Sequence, residues 1–480
     1  METLDYHMLN FKCGLEIHQQ LPDKKLFCNC PCIITDEKPD YTIKRKLKAI
    51  AGETGQIDVA ALHEQTKQKH FVYHCYKNNT CLVEIDEEPP HCINQEALST
   101  TLLVAKMLHA TIIDTIIFMR KTVVDGSNVS GFQRTALIAT DGYIETSEGK
   151  ITIPTICLEE EAAKAVERTK EYNVYNLSRL GIPLIEIATN PDIKTPAGAK
   201  EAAEKIGMIL RSTNKVKRGL GTIRQDVNLS VKNGARVEIK GFQDIKSIPT
   251  VIDFEIKRQL EILGMGEKIK SEVRKAEETG ATTFLRPMPG AARMYPETDV
   301  LVINVTKEMI DSLLIPELLD DKAQKLEDYG ISKELAEMLV KKNKAEHFEL
   351  FCKKFANLKP AYIGELLLPK LLEIKRKYNI DIELITVQQI ESVLQQLNEQ
   401  MISKEAVEEI LAAFGQQKSV DFLRYKTLDT ADIEKDIKKI VEQNKDKRFG
   451  AIMHIVMGKY RGKADGKLIA ELIKKYVGNN

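Results

Sequence analysis

The chain has 480 residues, 43% of them apolar and 29% charged, and this length and balance predict a globular protein of about two to four domains. Seventy basic residues match seventy acidic ones, so the formal net charge of zero excludes a basic footprint over the whole chain, although not a local patch. No signal peptide and no run of about 18 apolar residues is recognisable, and the nine unevenly spaced cysteines are typical of a reducing compartment. We therefore expect a soluble, cytoplasmic, multidomain protein.

The first part of the chain, residues 1–305, predicts a large α+β domain built on a mainly antiparallel sheet. Short β-rich segments alternate there with glycine and proline, and helical stretches at residues 94–109 and 196–212 interrupt them. The predicted strands are residues 11–21, 111–124, 182–188, 223–231 and 237–241.

After residue 305 the strand signals end and helical periodicity predicts an all-helical domain, residues 306–408, and a small helical tail domain, residues 409–480. We separate the tail because it has its own charge: residues 445–480 carry nine basic against three acidic residues. The predicted helices are residues 307–314, 333–342, 345–355, 361–377, 404–414, 433–443, 450–457 and 467–477.

A polar ladder is predicted on the first strand, residues 11–21. Alternation places Glu16 and His18 on one face and the apolar Leu15 and Ile17 on the other. A carboxylate and an imidazole two residues apart on a strand suit a divalent metal. The alternative is a half-exposed strand whose polar side chains face water.

A second ladder is predicted on the hairpin that follows residue 223. A three-residue loop at residues 232–234, with the glycine left-handed, pairs Asn228 with Glu238 and Asp226 with Lys240, whereas a two-residue turn would put Glu238 and Lys240 on the apolar face. We predict the three-residue loop; the alternative for the ladder is an exposed set of cross-strand charge pairs. The predicted register gathers one polar surface: Arg224, Asp226, Asn228, Glu238 and Lys240, with Ser230 next along the strand.

Further acids lie in apolar surroundings. Residues 159–161 are three glutamates, which we expect to open a helix, where acids often serve only the helix dipole. Glu186 lies inside an apolar strand and is costly there unless it is paired or binds a metal. Hard oxygen ligands with one histidine indicate Mg²⁺ beside substrate phosphates, although no P-loop or G-x-G-x-x-G motif is present. The predicted Mg²⁺ ligands are Glu16, His18, Glu159, Glu160 and Glu186.

A cysteine-rich segment could supply a structural zinc site. Cys28 and Cys30 are the favoured ligands, and Cys32 follows at the same spacing. Cys75, Cys81 and Cys92 lie downstream and could complete the ligand set. The alternative is that these cysteines are small buried apolar side chains.

Several motifs resemble those of the tRNA-dependent amidotransferase B/E family. Two of them, DGSNVSGFQRT at residues 125–135 and RPMPGAARMYPETD at residues 286–299, resemble the archaeal E subunit of glutamyl-tRNA(Gln) amidotransferase more than the bacterial B subunit. E subunits usually carry an insert similar to a domain of bacterial aspartyl-tRNA synthetase before the second motif, and residues 269–285 are too short to hold it. The shared motifs are GLEIH at 14–18, LEEE at 158–161, YNLSRLGIPLIEI at 175–187, RQDVN at 224–228 and VEIK at 237–240.

The resemblance implies a specific activity. Such subunits phosphorylate the side-chain carboxylate of Glu-tRNA(Gln) with ATP and amidate it with ammonia, giving Gln-tRNA(Gln). The ammonia comes from a partner, which is an asparaginase-like D subunit for the E type and an amidase-like A subunit for the B type. The alternatives are a B-type subunit that also accepts Asp-tRNA(Asn), and a tRNA-binding protein that has lost catalysis.

The resemblance also implies roles for parts of the chain. Residues 1–305 correspond to the catalytic domain, called a cradle, and residues 409–480 to the tail that binds tRNA; a solvated lysine-rich helix pair is the alternative for the tail. The implied catalytic residues are Glu16, His18, Glu186, Arg224, Asp226, Glu238 and Lys240, the implied ATP-binding residues are Arg179, Asn228 and Ser230, and the implied tRNA-binding residues are Lys459, Arg461, Lys463 and Lys467.

Overall fold

The computed structural model describes residues 4–49, 51, 55–57, 59–242, 244–288, 294–426, 430–444, 447–460 and 466–477. The chain divides into two compact units, Met1–Leu318 and Leu319–Asn480. Among the described residues, no helix combines the length and the apolar character needed to cross a bilayer. The predicted limits of the three domains stay predictions.

The first unit is built on an eleven-stranded sheet, a four-stranded sheet and a two-stranded sheet. Its strands are β1 Lys12–Gln20, β2 Tyr41–Arg45, β3 His70–Cys75, β4 Thr111–Ile112, β5 Thr115–Ile116, β6 Phe118–Thr122, β7 Phe132–Thr146, β8 Gly149–Glu160, β9 Lys164–Arg168, β10 Tyr172–Asn176, β11 Pro183–Ala188, β12 Ile223–Ser230, β13 Val237–Lys240, β14 Glu272–Ala276, β15 Thr282–Pro287, β16 Met294–Pro296 and β17 Ile303–Asn304.

The large sheet has the order β15-β14-β13-β12-β1-β11-β8-β7-β6-β16, with β4 paired to β7. Its described neighbouring strands are antiparallel except β13 and β14, which are parallel. The small sheets have the orders β2-β3-β10-β9 and β17-β5. A large, mainly antiparallel sheet domain followed by a helical region confirms the predicted α+β class.

Fifteen helices are formed by the described residues: α1 Val59–Thr66, α2 Gln95–Met107, α3 Pro196–Ser212, α4 Ile248–Gly264, α5 Lys307–Asp311, α6 Leu319–Glu327, α7 Lys333–Lys341, α8 Ala345–Lys354, α9 Pro360–Leu367, α10 Pro369–Tyr378, α11 Val387–Asn398, α12 Lys404–Gly415, α13 Thr430–Gln443, α14 Phe449–Tyr460 and α15 Gly466–Val477. Helix α3 begins where Thr195 accepts a hydrogen bond from the Gly198 backbone and Pro196 occupies the first turn, two features that favour a helix start. The structure adds α1, α4, α6 and α11, which were not predicted.

The core of the first unit lies between one face of the large sheet and helices α2, α3 and α4. Leu15, Ile17, Val227 and Leu229 point into this core and are at most 2% exposed. Burying each such aliphatic side chain contributes about 1.5–3 kcal/mol, so the alternation in β1 and β12 fixes which face turns inward. The opposite face of these strands is therefore left to polar side chains.

The β12–β13 hairpin has the predicted register but not the predicted loop. Asn228 pairs with Glu238, as expected. The strands separate after Ser230, because Val231 turns into the core and its carbonyl accepts a hydrogen bond from the Gly234 backbone. Asn233, not Gly234, is left-handed, with φ of 64°. The loop between the strands therefore has six residues, not three.

Two other predicted elements are divided. The predicted strand over residues 111–124 is three short strands, β4, β5 and β6. The predicted helix over residues 361–377 is α9 followed by α10, because Pro369 lacks a backbone N–H and disfavours helical geometry at Leu368, whose φ and ψ are −139° and −76°.

The second unit is helical. In its C-terminal part, α13, α14 and α15 pack around Ile437, Val456, Ile469 and Ile473, each of which is at most 1% exposed. These buried residues recur at helical spacing, so they lie along one stripe of each helix. The same spacing in the sequence predicted the helices.

Candidate functional site

The polar face of the large sheet brings His18 beside Glu186. In β1, His18 lies opposite Glu186 of β11 on one side and Arg224 of β12 on the other, and Glu16 lies opposite Asp226. The His18 Nε2 atom is 3.2 Å from Glu186 Oε2 and 3.8 Å from Glu16 Oε1. The predicted convergence of residues far apart in the sequence is therefore seen.

The surroundings of Glu16, His18 and Glu186 favour the charged form of each side chain to a different degree. Burial and the neighbouring Glu186 raise the pKa of Glu16 to about 7. Burial opposes a charged His18, but the hydrogen bond to Glu186 and the charges of Glu186 and Glu16 raise its pKa to about 9. Glu186 is itself buried, yet Lys121 and His18 hold its pKa well below the usual range. An ionised Glu186 and a partly neutral Glu16 thus flank a protonated imidazole, and a divalent cation bound here would displace the His18 proton and leave the neutral imidazole as a ligand.

A second group of carboxylates lies next to the first. Glu16, Asp226 and Glu238 each offer an oxygen atom within 4.8 Å of the others, and Glu16 is shared with the His18 and Glu186 group. The Lys240 ammonium contacts both Asp226 and Glu238. These carboxylates raise its pKa against the effect of burial, so it is a fixed positive charge between them.

The glutamates at residues 159–161 do not open a helix. Glu159 and Glu160 end strand β8, paired with Leu184 and Pro183 of β11, and the apolar run before them is the rest of that strand. Glu159 accepts hydrogen bonds from Lys121 and Thr135 on the side of Glu186. The helix predicted to begin at these glutamates is wrong, because the strand of the apolar run continues through Glu160 in its pairing with β11, and residues 164–168 then form β9.

Adjacent residues on a strand point to opposite faces, and this separates Glu160 from the other predicted ligands. Its carboxylate lies 3.4 Å from Arg134 Nη1, away from His18. Glu161 instead accepts two hydrogen bonds from Arg224, of 2.7 and 3.0 Å, and Arg179 lies 4.0 Å away. Against burial, these guanidinium groups lower the pKa of Glu161. The structure therefore does not bring Glu160 together with the other predicted ligands.

A cavity of about 380 Å³, which we call the charged cavity, is lined by Glu16, His18, Glu159, Glu161 and Glu186 among others. Its size lies in the usual range for ligand pockets. Arg179 donates hydrogen bonds to the carbonyls of Ala162 and Ala163 behind Glu161. Asn228 and Ser230 lie further along β12 and line a neighbouring cavity. The charged cavity is lined by the cationic Lys121, Arg224, Arg236, Lys240 and Arg286, and by the acidic Glu16, Asp125, Glu159, Glu161, Glu186 and Glu238.

Three of the cationic side chains in this cavity were not predicted from the sequence. Lys121 lies on β6. The segment that was predicted as one strand is divided into three, so the sheet face to which Lys121 points could not be assigned from the sequence. Arg236 lies in the hairpin loop just before β13, and Arg286 lies on β15 at the far edge of the sheet from β11. The RPMP motif at residues 286–289 was a signal for Arg286, but no local pattern shows which strand it joins.

The cysteine cluster is formed by Cys28, Cys30, Cys81 and Glu84, whose ligand atoms lie within 4.8 Å of one another. Cys28 Sγ is 2.8 Å from Glu84 Oε1. Hydrogen bonds from the Cys28 and Cys81 thiols lower the pKa of Cys30 to about 4. Three thiols and one carboxylate fit a four-coordinate Zn²⁺ site. Among the described residues, Cys32, Cys75 and Cys92 do not join this group.

The predicted tRNA-binding residues lie mostly beyond what the structure describes. Arg461 and Lys463 lie outside the described residues, and so does the side chain of Lys467. Lys459, at the end of α14, places its ammonium 2.6 Å from Asp436 Oδ2 of α13.

The fold and this cavity define a class of protein: a large antiparallel sheet carries mixed charges on its polar face and is followed by a helical region. A family model described as the GatB/GatE catalytic domain matches residues 11–311, and another described as the GatB domain matches residues 346–477. The chain belongs to the GatB/GatE family.

Its relatives match over nearly their whole length. The E subunit of glutamyl-tRNA(Gln) amidotransferase from Methanocaldococcus jannaschii is 38% identical over 624 aligned positions, which cover 98% of this chain and 99% of that protein. The proteins of the same name from Methanococcus maripaludis and Sulfurisphaera tokodaii are each 35% identical, with coverage of 98% and 100% of both chains, respectively.

The relatives are longer than this chain. The 624 aligned positions exceed the 480 residues by 144, so at least that many positions have no counterpart here. This length difference agrees with the predicted lack of an insert. The place and nature of the extra segment stay predictions.

Proposed function

We propose that this chain is the subunit that activates and amidates the side-chain carboxylate of Glu-tRNA(Gln), working in the cytoplasm. The observation that carries the proposal is the convergence of Glu16, His18 and Glu186 with five cationic side chains around one cavity. The names of the relatives support the substrate.

The chemistry requires a leaving group, because an amine does not displace oxide from a carboxylate. A carboxylate oxygen of the substrate attacks the γ-phosphorus of ATP, the bond from that phosphorus to its bridging oxygen breaks, and ADP leaves. Ammonia then attacks the carbon of the acyl phosphate, inorganic phosphate leaves, and the surplus proton passes to a base or to water. Phosphoryl transfer of this kind depends on positioning and charge neutralisation rather than on covalent help from the protein.

Glu16, His18 and Glu186 would hold Mg²⁺. Glu159 would contribute indirectly, because it accepts a hydrogen bond from Lys121, whose ammonium also faces Glu186. Such an ion would neutralise phosphate charge and orient the reacting oxygens. The cationic side chains of the cavity would neutralise the remaining negative charge. Lys240 keeps the second group of carboxylates neutralised, and Arg236 and Arg286 offer bidentate donors to phosphate oxygens.

We propose a structural Zn²⁺ as a second resident metal, held by Cys28, Cys30, Cys81 and Glu84. The two loops that supply these residues contain few regular elements, so a bound metal would fix them to each other where they pack against the core. Buried Lys25 lies 3.4 Å from Glu84 Oε1 and would share its negative charge with the metal.

Ammonia would come from a partner subunit, an asparaginase-like D subunit for the E-type assignment. The tail would bind tRNA through Lys459, Arg461, Lys463 and Lys467.

The test is amidation of misacylated tRNA. We expect the purified chain with ATP, Mg²⁺ and ammonium chloride to convert Glu-tRNA(Gln), and to use an amide donor only when its co-purified partner is present. An amidase-like partner with conversion of Asp-tRNA(Asn) would instead indicate a B-type subunit. Binding of tRNA without conversion under any ammonia source would indicate a non-catalytic tRNA-binding protein and refute the proposal.

A further inference from the structure

Helix α4 buries two polar side chains on the side of the large sheet opposite the charged cavity. Glu255 and Gln259 lie about one turn apart on the face of α4 that packs against the sheet, and both are 0% exposed. A buried polar side chain is costly unless its hydrogen bonds are satisfied. The partners of these two residues therefore show which parts of the chain α4 holds in place.

Gln259 holds the hairpin loop between β12 and β13. Its Oε1 atom accepts a hydrogen bond from the Ala235 backbone N–H, and its Nε2 atom donates one to the Ala235 carbonyl, both of 3.3 Å. A Cβ atom at Gly234 would overlap Gln259 Oε1, so the glycine lets the amide reach the loop. The next residue, Arg236, is exposed and lines the charged cavity. Gln259 thus fixes the backbone from which that guanidinium extends.

Glu255 holds the first residue of β15. Its carboxylate accepts hydrogen bonds of 2.7 Å from the Thr282 hydroxyl and 3.2 Å from Gln259 Nε2, and two more from Arg258. Arg274 of β14 donates a bond of 2.8 Å to the same hydroxyl and one of 2.7 Å to the Thr282 carbonyl. One buried group therefore joins α4, β14 and β15. We call Glu255, Gln259, Arg274 and Thr282 the α4 anchor.

The register beside this anchor decides which face of the sheet receives Arg286. Arg274 of β14 pairs with Phe284 of β15. The residue before it, Val273, pairs with Arg286, which leaves Leu285 as an extra residue on β15. A β-bulge of this kind reverses the alternation beyond it, since a shift of one residue turns each side chain to the other face. Without the bulge Arg286 would share a face with Arg274 and α4, whereas with it Arg286 lines the charged cavity.

We propose that the α4 anchor positions Arg236 and Arg286 in the charged cavity from the opposite side of the sheet. The inference rests on the proposed function, in which these two guanidinium groups neutralise phosphate. Both arginines extend from irregular backbone, a loop and a bulge, which the regular hydrogen bonds of the sheet do not fix. The buried partners supply that constraint, so Gln259 acts through Arg236 and Thr282 acts through Arg286. The members of the anchor are positioning residues.

Calorimetric titration of the intact protein with ATP and Mg²⁺ tests the anchor without the amidation reaction. Gln259→Met keeps the approximate shape of the side chain but cannot hydrogen-bond to the loop, and we expect it to weaken ATP binding by about fivefold or more. In the Arg236→Gln background the same substitution should change ATP affinity by less than about twofold, because its effect passes through Arg236. Thr282→Val should show the same dependence on Arg286→Gln.

Ile256→Val is the matched control, because it trims a buried side chain of α4 and removes no hydrogen bond. It should lower the melting temperature and leave ATP affinity within about twofold. Losses that are as large with Arg236→Gln or Arg286→Gln present as without them would show a merely structural role and overturn the inference. Unchanged ATP affinity in both Gln259→Met and Thr282→Val would also overturn it. If both pairs behave as expected but Glu-tRNA(Gln) is not amidated, the inference stands and the proposed function fails.

Discussion

Glu16 faces both groups of carboxylates in the charged cavity, so its protonation state sets how much negative charge the cavity holds. Its pKa of about 7 places this change near neutral pH. Glu186 differs, because Lys121 and His18 hold its pKa low and keep it ionised. Two glutamates on neighbouring strands thus have different ionisation because their neighbours differ, and the ionised one is the stronger candidate for metal binding.

We expect Glu186→Gln to weaken binding of Mn²⁺, a spectroscopic substitute for Mg²⁺, by about tenfold to a hundredfold. The amide keeps the shape of the side chain but removes the charge that faces His18 and Lys121. Amidation of Glu-tRNA(Gln) should fall by about a hundredfold or more. Electron paramagnetic resonance titration gives the affinity. Glu171→Gln changes an exposed glutamate and is the control; equal Mn²⁺ affinity in both variants would contradict the assignment.

Glu297 is the second residue whose charge should matter, here for stability. Its fully buried carboxylate lies 2.6 Å from Arg120 Nη2 and 2.7 Å from Arg134 Nε. Burial opposes its charge, but Arg120 and Arg134 lower its pKa below the ordinary value of 4.5. Because the folded pKa is depressed, the stabilisation is present above the unfolded pKa and is lost as pH falls through the folded one.

Glu297→Gln should therefore lower the free energy of unfolding by about 3–5 kcal/mol at pH 7, since the guanidinium groups of half-buried Arg120 and buried Arg134 lose their counter-charge. The variant should also lose less stability than the wild type between pH 5 and pH 3. Urea unfolding across this pH range measures both effects. A loss below about 1 kcal/mol at pH 7, or parallel pH profiles, would contradict this account.

At the scale of elements, the alternation of polar and apolar residues predicted which side chains of a single strand share a face. It did not predict which other strands complete the site. The inward faces of β1 and β12 followed from period-two patterns, which placed Glu16 with His18 on the polar face of one strand and Arg224 with Asp226 on the polar face of the other. Alternation says nothing about which strands are neighbours, and therefore could not show that β11 would lie beside β1. It also could not identify Lys121 or Arg286, which reach the cavity from strands at other positions in the sheet.

The elements that sequence analysis missed have a common physical cause. The glutamates at residues 159–161 lie in a strand or directly after it because β8 pairs with β7 and β11, a tertiary effect that overrides local preference. Cys81 and Glu84 join Cys28 because two loops meet, and spacing within one loop cannot reveal the other. Local chemistry was thus readable from the sequence, whereas pairing between distant segments was not.

The cysteine cluster joins these loops, and we expect Cys81→Ser to remove most of the bound zinc. Loss of one of four ligands should lower the melting temperature by more than about 5 °C, because metal binding contributes to folding free energy. Zinc is measured by plasma mass spectrometry and unfolding by calorimetry. Cys92→Ser, at an exposed cysteine outside the cluster, is the control. Zinc absent from the wild type, or unchanged in Cys81→Ser, would refute the site.

At the scale of the whole molecule, charge is balanced overall but concentrated locally. The formal net charge is zero, whereas residues 445–480 carry nine basic and three acidic residues. If the chain binds tRNA, the attraction of tRNA phosphates would have to come from local basic regions, for which this tail is our proposal. The longer relatives have at least 144 aligned positions that this chain lacks, so any tRNA contacts made there must be absent or replaced here.

If the tail binds tRNA, reversing its charge should weaken tRNA binding and leave ATP binding unchanged. We expect the double variant Lys463→Glu and Lys467→Glu to raise the KM for Glu-tRNA(Gln) about threefold to tenfold. The plot of log affinity against log salt concentration should become shallower, by a slope of about one for each phosphate that the tail no longer neutralises. The control reverses two exposed lysines elsewhere in the second unit, Lys342→Glu and Lys418→Glu, with the same change in net charge.

Filter binding of Glu-tRNA(Gln) at several salt concentrations separates the outcomes for the tail. Because tRNA binding depends on the phosphates that are neutralised locally, the tail variant should be affected and the control variant should not. Equal weakening in both double variants would show that net charge, not the tail, governs tRNA affinity. Unchanged affinity in the tail variant would remove the tail from the tRNA-binding surface.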